Sequence, residues 1–199
     1  MKRLIFLFVF FVTFSSCSSS GYFQREPSPQ NTGVDFSSGR WLLGTIEADY
    51  EIKDQLVDMI IKDFSGRLQD RFAYALNEKT LLIARQIPVN PNKFQIEQLK
   101  KGTNYDYFIN VKCSNEQVNE LKSIKGEYAD RFTVDKYYYS NKVNVAIVQL
   151  EIYDLNSGQI IYSQKVRGWS GGGLTSSKGE KKLFIGCYKK IMKHLNKTS

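Results

Sequence analysis

Residues Val143 to Trp169, VNVAIVQLEIYDLNSGQIIYSQKVRGW, set two β-branched runs on either side of Asn156-Ser157-Gly158. Glycine takes positive φ at no steric cost, so this centre closes the two runs into a β-hairpin and commits the chain to a sheet. The first run is apolar on both faces at Ala146, Ile147 and Val148, the pattern of a strand buried in the middle of a sheet.

Such a sheet needs apolar faces to cover it. After the hairpin, Ser176 or Ser177 can cap a last helix with Leu183, Phe184, Cys187, Tyr188, Ile191, Met192 and Leu195 on one side. Its other face carries Lys181, Lys182, Lys189, Lys190 and Lys193. Upstream, Arg40 to Ala48 reads as a strand and Asp49 as a helix cap. Ile52, Leu56, Met59, Ile60, Phe64, Leu68, Phe72 and Ala75 then form a stripe at spacings of three and four that faces the sheet. A short strand at Thr80 to Arg85 and a second helix near Lys93 to Lys100 follow, the helix presenting Phe94, Ile96 and Leu99 and stopped by Gly102. Tyr105 to Cys113 alternates as a strand, and residues 114 to 141 are charged and irregular. The expectation is a mixed α/β domain over residues 40–199, with a single sheet on which a long helix and the C-terminal helix pack.

The N-terminus is of another kind. Lys2 and Arg3 precede an apolar run from Leu4 to Val12, too short to span a bilayer, and then small residues leading to Cys17. This is the layout of a secretory signal peptide over residues 1–16. Phe14-Ser15-Ser16-Cys17 is similar to the lipobox of bacterial lipoproteins, whose cysteine is acylated and becomes the mature N-terminus, although Phe14 stands where leucine is usual. The membrane partner is therefore reached through acyl chains on Cys17, and by analogy with lipoprotein sorting Ser18 fits the outer membrane. Residues 17–39 are rich in Ser, Gly, Pro and Asn and read as a flexible tether.

Export changes the accounting of charge and thiols. The formal charge of +8 falls to +6 once Lys2 and Arg3 leave with the leader. That surface favours anionic partners without choosing among headgroups, wall polymers and acidic proteins, while the compartment disfavours nucleic acid. Cys113 and Cys187 remain, to pair or to serve as small core residues.

The stretch Gly168 to Lys182, GWSGGGLTSSKGEKK, has two glycines at P-loop spacing, Gly168 and Gly173, but Leu174 and Thr175 stand where Lys and Ser or Thr are needed. It reads as a glycine-rich connection. The single histidine, His194, lies on the last turns of a lysine-rich helix, and with Cys113 and Cys187 it makes no spaced ligand set for zinc. No motif nominates a pair of carboxylates. The sequence points to no enzyme, no cofactor and no metal.

The order of elements, with the lipobox, LKKGTNYDYFINV (Leu99 to Val111) and VQLEIYDLNSGQIIYS (Val148 to Ser163), resembles the periplasmic domain shared by the curli-secretion channel lipoprotein and the lipoprotein activator of a bifunctional penicillin-binding protein. The resemblance implies helices packed on a mixed sheet and a role in envelope assembly or export through protein contact. In channel-forming relatives, membrane-inserting hairpins occupy the places of residues 114–141 and of GWSGGGLTSSKG. Here the second place is too short and glycine-rich to span. The first carries Glu116, Glu120, Lys122, Lys125, Glu127, Asp130, Arg131 and Lys136, which leave no continuous apolar face.

A lipid-anchored adaptor or regulator is thus the first reading, a subunit of an oligomeric outer-membrane secretion channel the second, and an unrecognised small hydrolase the third. Two surfaces are candidates for contact with an envelope protein that the sequence does not name. One is the run Tyr137, Tyr138 and Tyr139, whose rings supply large contact area at small entropy cost; the other is the helix face with Lys182, Lys189 and Lys193.

Overall fold

The computed structural model describes residues 21–27, 33–46, 48, 50–78, 91–123, 138–170 and 177–198. The fold is α/β, with one mixed six-stranded sheet. In chain order the elements are β1 (Gly21–Arg25), β2 (Trp41–Leu43), α1 (Tyr50–Leu68), a 3-10 turn (Gln69–Arg71), β3 (Phe72–Tyr74), α2 (Lys93–Gly102), β4 (Tyr107–Ser123), β5 (Tyr138–Asp154), β6 (Gln159–Ser170) and α3 (Ser177–Thr198). The strand order is β1-β6-β5-β4-β2-β3, with β2 parallel to β3 and β4 and the other pairs antiparallel.

The β5–β6 hairpin forms where the sequence places it, and β5 lies inside the sheet. Asp154 organises the turn: its carboxylate accepts from the Asn156 amide at 2.8 Å and from the Ser157 hydroxyl at 2.9 Å, while Gly158 sits at φ +70° and donates to the Asp154 carbonyl. One face of the sheet, with Trp41, Leu43, Ile109, Val111, Val148, Leu150, Ile152 and Tyr162, is buried against α1 and α3. All seven apolar positions expected on α3 are buried. A smaller cluster on the opposite face packs Ile96 and Leu99 of α2 on Leu42, Phe108 and Tyr153.

Several expectations are corrected. The strand at Arg40 to Ala48 contracts to Trp41–Leu43. Helix α1 stops at Leu68, because Gln69 turns into the left-handed region at φ 52°, and Phe72 therefore lies in β3 rather than on the helical stripe. Phe94 is 66% exposed. The capping box between Asn92 and Gln95 sets the phase of α2, and its inward side falls on Ile96 and Leu99. Strands β4 and β5 run on as a paired ladder well past Cys113 and Val143, as far as Ser123 and Tyr138. Ladder pairing satisfies backbone N–H and C=O groups whether or not the side chains are apolar, which is why a polar sequence extends here.

The largest correction concerns residues 17–39. Gly21–Arg25 is an edge strand on β6, from Gly21 opposite Ser170 to Arg25 opposite Val166. Further on, Val34 is buried and Phe36 packs on Trp41 with ring centroids 5.1 Å apart. The Arg71 guanidinium donates to the carbonyls of Phe36 at 2.6 Å and Gly39 at 3.3 Å. Among the described residues the fold therefore reaches back to Gly21, ahead of the boundary expected at residue 40. The tether expected from composition is interrupted by a strand and by a packed segment. The leader, the strand expected at Thr80 to Arg85 and the cap at Asp49 lie outside the described residues.

Candidate functional site

The end of the domain nearest Cys17 is built from β1, the C-terminal half of β6 and α3. Helix α3 runs antiparallel to β6: the Tyr162 hydroxyl lies 3.2 Å from Nδ1 of His194, and the Cys187 sulfur reaches the Ala146 carbonyl on neighbouring β5 at 3.6 Å. Phe23 of β1 fills the space that two glycines leave open. A Cβ on Gly186 would stand 2.2 Å from its ring tip, and one on Gly168 would stand 3.0 Å from its edge. Strand β1 is thus seated on both the sheet and the helix.

The strand is held at its other end by charge. Glu26 accepts from Arg167 and pairs with Lys165 at 3.4 Å, and Arg167 also donates to Glu116 at 2.9 Å. Burial raises the pKa of the Glu26 carboxyl, but the hydrogen bond from Arg167 and the charges of Lys165 and Arg167 outweigh it, and the net shift is below the ordinary 4.5. A carboxylate depressed in the fold stabilises it above the unfolded pKa, and that contribution fades as the pH falls through the folded value. We therefore expect the amide protection of Gln24 and Glu26, whose N–H groups face β6, to drop as the pH goes below 4.5. Glu26→Gln should make that protection low and nearly flat with pH, measured as protection factors by hydrogen exchange. A wild-type profile as flat as the variant's would show that the ion pairs do not hold β1.

The outer side of α3 exposes Lys182, Lys189, Lys190 and Lys193, as the spacing requires. The two described members of the tyrosine run, Tyr138 and Tyr139, are elsewhere. They sit opposite Ser123 and Lys122 at the far end of the β4–β5 ribbon, about 23 Å along β5 from Ala146 at roughly 3.3 Å per residue. The structure does not bring the two candidate surfaces together. Cys17 and Tyr137 lie outside the described residues.

In the ladder Val118 stands opposite Val143, Glu120 opposite Asn141 and Lys122 opposite Tyr139.

The remaining chemistry is structural. Cys113 and Cys187 are buried thiols with no disulfide between them, and burial pushes the Cys187 thiol up to about 12. His194 is half-buried against Tyr162, and its pKa is lowered by burial and by the positive charges of Arg25 and Lys197. Among the described residues no cluster of three or more His, Cys, Asp or Glu could hold a metal, and no helix is long and apolar enough to cross a membrane. A groove of about 530 Å³ lies between α2 and the hairpin turn, with Ile96, Tyr153 and Leu155 beside Lys93, Glu97 and Lys100.

Sequence reasoning missed β1, Glu26 and the two glycines under Phe23. The only signal was the aromatic pair Tyr22-Phe23 in a stretch otherwise poor in apolar residues.

No protein-family model matches the sequence, and no curated protein matches it. Among solved structures the chain is similar to the PelC dodecamer from Paraburkholderia phytofirmans, at 10% identity and TM-score 0.38 over 86% of this chain and 98% of that one. It is also similar to lipoprotein GNA1162 from Neisseria meningitidis, at 9% identity and TM-score 0.42 over 78% and 99% of the two chains. A third is protein XCC0632 from Xanthomonas campestris, at 11% identity and TM-score 0.39 over 85% and 86%. Likeness at this level carries no argument about what the present chain binds or does.

Proposed function

We propose that the protein is a lipid-anchored component of the cell envelope that acts as an adaptor or regulator through protein contact and without catalysis. The observation that carries this reading is the position of Cys17. It follows an apolar run with a basic start and precedes by only four residues β1, the first strand described. Acyl chains there would hold a folded α/β domain at a membrane, and Ser18 favours the outer one. The chain's one histidine, packed against Tyr162, and its two buried thiols are not set out as nucleophile and base.

The β4–β5 ribbon is the observation that favours the second reading, a channel subunit. The charged residues along its sequence, Glu116, Glu120 and Lys122 among them, weigh against that reading.

Cys17→Ser tests the anchor. The variant is expected to lose its acyl mass and its retention in the membrane fraction, and normal retention would overturn the anchoring. Light scattering of the purified full chain then separates the two roles. One or two copies are expected, and a ring of many subunits would replace the adaptor by the channel.

A further inference from the structure

We propose that the outer face of α3, with Lys182, Lys189, Lys190 and Lys193, lies against anionic phospholipid of the same membrane that holds Cys17. The inference rests on the anchoring reading and adds to it the orientation of the domain and the chemistry that it meets.

The first argument is the length of chain outside the fold. Four residues from Cys17 to Gly21 span about 14 Å at full extension. Strand β1 stands directly beside α3, with the Phe23 ring over Gly186. Lys182 lies about one helical turn before Gly186, roughly 6 Å closer to the anchored end. Lys189 and Lys193 continue along the exposed side of the helix. The short leash therefore keeps the lysine face within reach of the headgroups, whereas a free tether of residues 17–39 would have left the domain's orientation open.

The second argument is the charge that each helix carries. Helix α3 packs over β1, β6 and β5, the anchored side of the sheet, and α1 lies beside it on the same face and reaches β3 at the opposite edge. The exposed carboxylates Asp54, Asp58 and Asp63 belong to α1, together with exposed Lys62. Glu180 is the acidic residue of α3, in its first turn, and Arg25 adds an exposed cation at the end of β1. Lysine charge, opposed within α3 by Glu180 alone, thus stands on the helix beside β1, where the acyl chains enter. Each lysine that reaches an anionic surface strengthens attachment by about fivefold. An acyl group with a basic patch supplies the two signals that durable attachment needs.

The test uses the full chain purified in detergent and placed in vesicles of phosphatidylcholine alone or of phosphatidylcholine mixed with phosphatidylglycerol. Amine acetylation is read residue by residue by mass spectrometry, and the same spectra read the acyl mass on the N-terminal peptide. Phosphatidylglycerol is expected to slow labelling of Lys182, Lys189 and Lys193 by about fivefold or more. Lys93 and Lys101, exposed on α2 over the opposite face of the sheet, should be unchanged, and high salt should remove the difference. Equal labelling in both vesicles with the acyl mass present overturns the proposal and leaves the anchor standing. Protection seen only in whole envelopes assigns the face to an acidic protein and also overturns it. A peptide without acyl mass removes the anchoring reading, and the inference falls with it.

Discussion

Trp41→Ala is expected to lower the stability of the fold by about 3–5 kcal/mol, the range for removing a large aromatic side chain from a core. Trp41 is fully buried in β2, stacked on Tyr107 with ring centroids 4.1 Å apart and tilted against Phe36 at 5.1 Å. Its indole N–H donates to the Ser38 carbonyl at 3.0 Å. The ring therefore joins the first core strand, β4 and the segment leading out of β1. For a chain of this size each kcal/mol moves the melting temperature by about 2–4 °C, so the midpoint should fall by roughly 6–20 °C.

Trp41→Phe separates packing from the hydrogen bond. It keeps a ring between Phe36 and Tyr107 and gives up only the donor to Ser38 and part of the area, for about 1–2 kcal/mol. Calorimetry of the two variants gives the ordering. A loss below about 1 kcal/mol for the alanine variant would mean that residues 33–39 are not joined to the core through this ring.

How far the sequence disclosed the fold follows from how local each signal is. The hairpin was legible because Asp154, Asn156, Ser157 and Gly158 make their turn among themselves. Helix α3 was legible because seven apolar residues recur on one side and no proline intervenes. The end of α1 was not, since Phe72 and Ala75 continue the helical spacing and the break at Gln69 is a backbone conformation that glutamine does not announce. Strand β1 was invisible for another reason: its partner β6 lies more than a hundred residues away, and pairing across that distance leaves no mark on a five-residue segment. Of the candidate site, the lysine face could be read from periodicity. Its nearness to the anchor could not, because it depends on β1.

That dependence gives the second large effect, which is local. Gly186→Ala is expected to release β1 while leaving global stability nearly unchanged. The new Cβ would lie 2.2 Å and 2.4 Å from two ring atoms of Phe23, closer than any real contact, so the ring must swing away from the helix. Half-buried Phe23 loses about 1–1.5 kcal/mol of burial by leaving. Alanine in place of glycine returns about 1 kcal/mol of helix propensity to α3. The two nearly cancel in the melting temperature. They do not cancel in β1, which bears the loss alone, and its amides should exchange about tenfold faster or more. Removing the ring reverses the sign: in a Phe23→Ala background, Gly186→Ala should stabilise by about 1 kcal/mol. Equal destabilisation in both backgrounds would show that Gly186 does not exist to admit the ring. With β1 released, the next buried residue among those described is Val34, and a leash from Cys17 to it has about 17 residues in place of four, or roughly 55 Å. Composition alone had implied that long tether. The lysine face of α3 would then lose its fixed approach to the membrane, and the protection of Lys182, Lys189 and Lys193 on anionic vesicles should fall in the same variant in which the β1 amides open.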